Sequence, residues 1–145
     1  MLTPAATREP DLQVKLTVNV DGGARGNPGP AAVGVVIRDD AGEVLLERGE
    51  KIGEATNNVA EYKALILGIR LAGELGADEV NLVGDSELII KQVQGKYKVK
   101  NAGMKPLHAE AKQALQSFES WSLRHVRREM NSDADRLVNE TLDGP

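Results

Sequence analysis

Four acidic residues stand where the surrounding pattern predicts the ends of strands or the beginnings of helices: Asp21, Glu61, Asp85 and Asp135. Ligand sites gather at such ends in open α/β sheets. Carboxylates that are brought together raise one another's pKa, so a positive charge must compensate them. The chain has no cysteine and only two histidines, which favours a hard, oxygen-binding cation, Mg²⁺ or Mn²⁺. Carboxylates around a pair of such ions are typical of phosphodiester cleavage.

Each acid also has a local explanation that involves no ligand. Asp21 fits the start of a turn, and Glu61 fits the third helical position of a capping box headed by Asn58. Asp85 fits a helix N-cap, a role that Ser86 could serve equally well. Asp135 fits a position that complements a helix dipole, and so does Asp133. The residues alone leave these alternatives open.

Apolar alternation predicts the strand that leads to Asp21. Residues 14–23 alternate strictly between apolar and polar side chains, which indicates a strand that Asp21 closes. Residues 22–30, which contain four glycines and two prolines, are predicted to form a loop. Further strands are predicted over 31–39, 43–52, 78–85 and 121–128. Two successive hairpins join the strands over 14–23, 31–39 and 43–52, which predicts that these three strands pair antiparallel.

The pattern then changes to a helical period. Apolar residues recur at helical spacing from Asn58 to Leu75, and Gly76 is predicted to end this helix. Glu61 stands in its first turn, in line with the inward-facing stripe. Shorter helices are predicted over 86–95, 106–118 and 131–142. These elements define an α/β domain in three layers, a five-stranded mixed sheet with helices on both faces. Asp21 and Asp85 meet at one edge if their strands are parallel neighbours.

Composition limits the class of protein. A chain of 145 residues with 41% hydrophobic and 28% charged residues fits one globular domain. The net charge of -4 excludes a strongly basic phosphate-coating protein, although Lys96, Lys98, Lys100 and Lys105 predict a local cationic patch. No apolar run is long enough to span a membrane. We expect a cytoplasmic monomer with a disordered leader (1–13), one domain (14–142) and a short tail (143–145).

Four segments, met in order, resemble the signature blocks of type 1 ribonuclease H. They are VNVDGGARGNPGPAAVGVVI, TNNVAEYKALILGI, LVGDSELIIKQVQG and NSDADRLVNETL. The resemblance covers Lys15 to Leu142. The chain resembles the archaeal and actinobacterial branch of the family more than the enterobacterial branch, because it has no cysteine and carries an Asn-x-x-Ala-Asp-x-Leu block. The fold that this implies is the ribonuclease H-like three-layer fold.

The resemblance implies metal-dependent hydrolysis of the RNA strand of RNA–DNA hybrids, with double-stranded RNA left open as a substrate. By position, Asp21, Glu61, Asp85 and Asp135 match the family's catalytic carboxylates, which hold two Mg²⁺ or Mn²⁺ ions. Asp21 matches the ligand shared by both ions, and the Ala-Asp-x-Leu frame favours Asp135 over Asp133. Positions that match substrate contacts or flank them are Gly22, Gly23, Asn27, Thr56, Asn57, Asn58 and Ser86.

Departures from the family pattern leave some roles open. Many members carry a mobile histidine before the last helix; His125 and Arg128 are both candidates for its auxiliary role. Glu87 stands where many members have glutamine, and the long basic insertion of several relatives is reduced to a short lysine-rich loop. The alternative function is a weakly catalytic or non-catalytic nucleic-acid-binding module of the same fold, cut from a longer bifunctional chain.

Overall fold

The computed structural model describes residues 13–144, which form five strands, four α-helices and one 3₁₀ turn. In chain order they are β1 (Lys15–Ala24), β2 (Gly29–Arg38), β3 (Val44–Ala55), α1 (Asn57–Glu74), β4 (Glu79–Gly84), α2 (Glu87–Val93), α3 (Lys105–Leu115), β5 (Ser120–His125), the 3₁₀ turn (Arg128–Asn131) and α4 (Ser132–Asp143).

The strands form one mixed sheet in the order β3-β2-β1-β4-β5. β2 pairs antiparallel with β1 and with β3, whereas β4 pairs parallel with β1 and with β5. The expected hairpin opening and the five-stranded mixed sheet are therefore confirmed. The parallel pairing of β1 with β4 ends at Val20 opposite Gly84, so Asp21 and Asp85 are the next residues at one sheet edge.

Helices cover both faces of the sheet, which confirms the three-layer α/β architecture. α1 buries Tyr62, Leu65 and Ile69 in the main aliphatic core, against apolar side chains of β1 and β2. α4 packs across β1, β2 and β3 from the opposite face, and its own buried residues are Ala134 and Val138. Within the described residues, no helix is both long and apolar enough to cross a bilayer.

β1 is longer than the alternating pattern predicts. Asp21 was expected to close the strand, but β1 continues to Ala24. The prediction is wrong because the glycines beyond Asp21 keep pairing with β2, where Gly22 lies opposite Val33 and Gly23 opposite Ala32. Asp21 therefore stands inside the β1–β2 ladder, at the point where β1 separates from β4.

α1 begins earlier than the capping-box interpretation requires. Thr56 is the N-cap, and its hydroxyl accepts a hydrogen bond from the amide of Val59 at 3.2 Å. Asn58 therefore lies inside the helix, and Glu61 lies beyond its first turn. The capping role for Glu61 and its place in the first turn are both wrong, because the helix starts at Thr56 rather than Asn58. Gly76 follows the helix end with φ +82°, as expected of a helix stop.

Several other boundaries differ from the predictions. β5 ends at His125, so Arg128 opens the 3₁₀ turn instead of closing a strand. The third helix spans Lys105–Leu115 rather than 106–118, and Asp143 is the last residue of α4 rather than the start of a tail. The predicted leader lies outside the described residues, apart from Gln13.

Candidate active site

Three carboxylates from three different elements converge at one end of the β1–β4 pair. Asp21 lies in β1, Glu61 in α1, and Asp85 directly after β4. Each offers an oxygen that lies within 4.8 Å of the corresponding oxygens of the other two. Asp21 is only 6% exposed, and the other two are half-buried. Positions 21, 61 and 85 are brought together by the parallel pairing and by the packing of α1 on β1.

The contact that brings Glu61 to this cluster depends on a glycine. A Cβ atom on Gly22 would lie 2.2 Å from the carbonyl oxygen of Ala60, so no other residue fits without a backbone shift. This close approach lets the Gly22 amide donate a hydrogen bond to Glu61 Oε1 at 3.3 Å. Gly22 therefore sets the approach of α1 to β1 at the position where Glu61 must reach the cluster.

The surroundings of the cluster disfavour the ionised forms of Asp21 and Glu61. Burial, together with the charges of Glu61 and Asp85, raises the pKa of Asp21 to about 10. Burial also raises the pKa of Glu61 to about 7, opposed in part by its hydrogen bond with Asp21. None of the three acids has an ion pair with lysine or arginine among the described residues. A bound cation would supply the positive charge that these acids lack.

Asp135 approaches the same cleft from α4, on the opposite side of the sheet. It lies in the first turn of that helix, and its carboxylate accepts a hydrogen bond from Arg128 at 3.1 Å. Asp133, the alternative to Asp135 in the sequence, instead pairs with Arg38 and does not line the cleft. The two aspartates of α4 therefore point to different partners, and Asp135 is the one that faces the other acids.

The predicted substrate residues near the start of α1 form a connected set. Asn27 Oδ1 accepts from the Asn57 amide at 3.0 Å, and Asn57 Oδ1 accepts from the Ala24 amide at 2.9 Å. These bonds tie the β1–β2 loop to the helix that Thr56 caps. Asn58 is exposed on the first turn of α1. The surface beside the acids is therefore rich in amide groups held by backbone contacts.

Ser86 and His125 have local roles in the structure. Ser86 is the N-cap of α2, and its hydroxyl accepts from the Ile89 amide at 3.4 Å. His125 is exposed at the end of β5 and is absent from the described lining of the cleft. Arg128, the other auxiliary candidate, does line it. Glu87 is exposed and lies 3.7 Å from Lys91, one helical turn away.

The acids line a cleft of about 480 Å³. Only Asp135 was predicted from the sequence on the α4 side of this cleft. Its lining includes Val138, Asn139 and Leu142, which are three, four and seven residues beyond Asp135 and so share its helix face. Asn139 Nδ2 lies 3.4 Å from Asp135 Oδ2. Arg25 also lines the cleft, from the β1–β2 loop. Helical spacing from Asp135 is the signal that could have found the α4 residues.

Comparison with known proteins places this architecture in one class, the ribonuclease H-like α/β domains. A family model described as reverse transcriptase-like matches residues 19–141. Ribonuclease HI of Halobacterium salinarum is 42% identical over 138 residues, which cover 95% of this chain and 69% of that protein. The crystal structure of RNase H1 from the same archaeon has a TM-score of 0.87 and 43% identity, covering 89% of this chain and 98% of the archaeal one.

The chain belongs to the ribonuclease HI family. A bifunctional protein of Mycobacterium tuberculosis is also 42% identical, over 90% of this chain but only 36% of its own length. LC11-RNase H1, crystallised in complex with an RNA/DNA hybrid, is 45% identical with a TM-score of 0.83, covering 88% of this chain and 96% of that one. The family resemblance predicted from the four sequence segments is thereby confirmed, with relatives in an archaeon and an actinobacterium.

Proposed function

We propose that this chain is an endonuclease that hydrolyses the RNA strand of RNA–DNA hybrids with the help of divalent metal ions. The observation that carries the proposal is the convergence of Asp21, Glu61 and Asp85 within 4.8 Å, with Asp135 lining the same cleft. A binding module has no use for buried like charges, which cost stability unless a cation compensates them. The hybrid bound by LC11-RNase H1 supports the choice of substrate.

The donor set fits Mg²⁺ or Mn²⁺. All of the converging groups are carboxylate oxygens, the hard ligands that these ions prefer. Asp21 is the acid whose pKa responds to all three others, Glu61, Asp85 and Asp135. This central position supports a two-ion arrangement in which Asp21 is shared, Glu61 and Asp85 complete one set of ligands, and Asp135 completes the other. Bound ions would supply an activated water and stabilise the leaving oxygen of an in-line displacement.

The side chains beside the acids are suited to orient the hybrid. The 2′-hydroxyl distinguishes RNA from DNA and is exposed in a shallow minor groove. We assign its recognition to Glu61 and to the backbone at Gly22 and Gly23, because both glycines line the cleft beside Glu61. Asn27 and Asn57 are placed next to this backbone by their mutual contacts. We assign them to the minor groove, with Asn58 and Ser86 beside the cleft and Thr56 on a DNA-strand phosphate.

Arg128 is the better candidate for the auxiliary role. Its guanidinium contacts Asp135 at 3.1 Å and its pKa is raised by that contact, whereas His125 is absent from the described cleft lining. Arg128 can neutralise Asp135 before an ion binds and remain close to a substrate phosphate afterwards. All of these groups come from one chain, which supports action as a monomer.

Incubation with matched RNA–DNA, RNA–RNA and DNA–DNA duplexes, with Mg²⁺ or with a chelator, tests the proposal. We expect Mg²⁺-dependent cleavage within the RNA strand of the hybrid and none of the DNA duplex. Cleavage of the RNA duplex would widen the substrate class. Binding of the hybrid without cleavage in either Mg²⁺ or Mn²⁺ would identify the chain as a non-catalytic module and overturn the proposal.

A further inference from the structure

The asparagine at the start of α4 bonds across to the sheet rather than to its own helix. Asn131 occupies the N-cap position, yet its side chain makes no capping hydrogen bond. Asparagine at this position ordinarily accepts from an amide of the first helical turn. Asn131 is 1% exposed, and only Asp21 and Gln92 are comparably buried polar or charged residues in the described chain. Its side chain therefore serves a contact between elements.

Both polar atoms of the Asn131 side chain are used on β1, immediately before Asp21. Nδ2 donates to the carbonyl oxygen of Val20 at 2.9 Å, and Oδ1 accepts from Asn19 Nδ2 at 2.9 Å. The first bond is fully buried, where hydrogen bonds are strengthened by the low dielectric and costly to leave unmade. Asn131 thus joins the strand that carries one acid to the helix that carries another.

The spacing of this contact matches the spacing of the acids. Asn19 and Asp21 are two residues apart and share one face of β1, a rise of about 6.8 Å. Asp135 lies four residues beyond the N-cap Asn131, a rise of about 6 Å along the axis of α4. Two residues beyond Asp21, Gly23 of β1 lies next to Val138 of α4. β1 and α4 therefore stay in contact on both sides of the two aspartates. A link between the asparagines therefore holds the two aspartates at matching heights.

We propose that Asn131 and Asn19 form a positioning pair that fixes Asp135 opposite Asp21 and so sets the affinity of the cleft for the metal ion that these two aspartates would hold. The inference rests on the proposed function. Neither asparagine lines the described cleft, so both act through the aspartates. Replacing a residue that hydrogen-bonds directly to a metal ligand typically changes metal affinity by about 10- to 100-fold. The asparagine pair acts through the backbone, so its effect is expected at the lower end of that range.

The test compares Asn131→Ala and Asn19→Ala with a control variant, Leu115→Val. Leu115 is fully buried in α3, so the control weakens the fold away from the acids. Mg²⁺ binding is measured by calorimetry without substrate, and hybrid cleavage is measured as a function of Mg²⁺. For Asn131→Ala we expect about tenfold weaker binding, a matching rise in the Mg²⁺ midpoint, and a hybrid KM within about twofold of wild type. Asn19→Ala, which breaks only one bond, should give a smaller shift in the same direction.

Wild-type Mg²⁺ binding in both asparagine variants would overturn the pair's role, as would an equal shift in Leu115→Val. If Asn131→Ala does not fold, Asn19→Ala decides alone, because Asn131 then keeps its bond to Val20. If the wild-type protein cleaves no hybrid, the proposed function fails, but the calorimetric comparison still decides the positioning role. A wild-type protein that binds no divalent ion would overturn both.

Discussion

The two walls of the cleft are built in different ways. One wall consists of β1, α1 and β4, whose apolar side chains lie in the main aliphatic core. It holds Asp21, Glu61 and Asp85 in a buried or half-buried environment. The other wall is α4, which buries two of its residues and makes mostly exposed ion pairs, such as Arg136 with Glu47 at 2.8 Å.

The difference separates how the acids are tuned. In the first wall, burial and mutual repulsion raise the pKa of Asp21 and Glu61. In the second wall, Asp135 is placed by the docking of its helix, and surface ion pairs such as those of α4 contribute little stability each. Close docking is ensured at Gly34, where a Cβ atom would lie 2.5 Å from the Ala134 carbonyl oxygen. The first wall therefore holds its buried acids at a cost in stability, whereas α4 adds Asp135 to the site through the position at which the helix docks.

The largest effect is expected from Asp21→Asn, which removes the acid at the centre of the first wall. We expect loss of Mg²⁺-dependent hybrid cleavage by at least about 10³-fold, because every ligand set in the proposal includes Asp21. Turnover is measured with labelled hybrid, and circular dichroism checks the fold. Undiminished turnover in a folded variant would remove Asp21 from the mechanism.

A smaller but selective effect is expected within the second wall. Asp135→Asn should reduce turnover by about 10²-fold, whereas the matched control Asp133→Asn should stay within about threefold of wild type. Asp133 pairs with Arg38 outside the cleft, so its loss affects only a partly exposed ion pair. Parallel kinetics on the two variants provide the check, and a larger loss at Asp133 would reverse the assignment within α4.

The first wall was largely predictable from the sequence because its signals are local and periodic. The alternation of residues 14–23 and the helical stripe containing Glu61 specify a strand and a helix, and Asp21 and Glu61 lie on these two elements. The exact start of α1 was not predictable, because Thr56 and Asn58 are both good N-cap residues. The extension of β1 past Asp21 depends on pairing with β2, which no local pattern encodes.

The second wall was less predictable because it depends on contacts between distant segments. Asn131 resembles an ordinary helix cap in the sequence, and only the fold reveals its bonds to β1. The choice between Asp133 and Asp135 came from the family motif, since both fit the first turn of a helix. Arg25 was missed because an arginine in a glycine-rich loop has no periodic signal.

Replacing Asp21 in the first wall should change how the unfolding free energy of the metal-free protein depends on pH. In the unfolded chain Asp21 titrates near 3.8, whereas in the folded protein its pKa is about 10. Above pH 4 the unfolded state loses its proton first, so this group makes the folded state less stable as pH rises towards 10. Asp21→Asn removes this penalty and should stabilise the protein by about 1–3 kcal/mol at pH 7, with little effect at pH 3.5.

Urea unfolding in a chelator at several pH values measures this effect. Asp135→Asn is the matched control, because that acid is partly exposed and already paired with Arg128; we expect it to be neutral or slightly destabilising. Added Mg²⁺ should stabilise the wild-type protein more than Asp21→Asn, since a ligand that binds only the folded state adds its binding energy. A pH-independent difference between wild type and Asp21→Asn would contradict the raised pKa of Asp21 in the folded protein.

The smallest effect is expected outside both walls, in the lysine-rich loop after α2. Lys96, Lys98 and Lys100 are exposed, and none of them has an ion pair within residues 13–144. Replacing all three with glutamine should weaken hybrid binding by about three- to tenfold and flatten its salt dependence by up to about one unit of slope for each phosphate that the loop no longer neutralises. Turnover at saturating hybrid should stay within about twofold of wild type, because the loop contributes no group to the cleft. Lys112→Gln on α3 is the control, and binding measured across a salt series separates the two. An unchanged slope in the triple variant would show that substrate affinity, like the chemistry, is determined by the two walls.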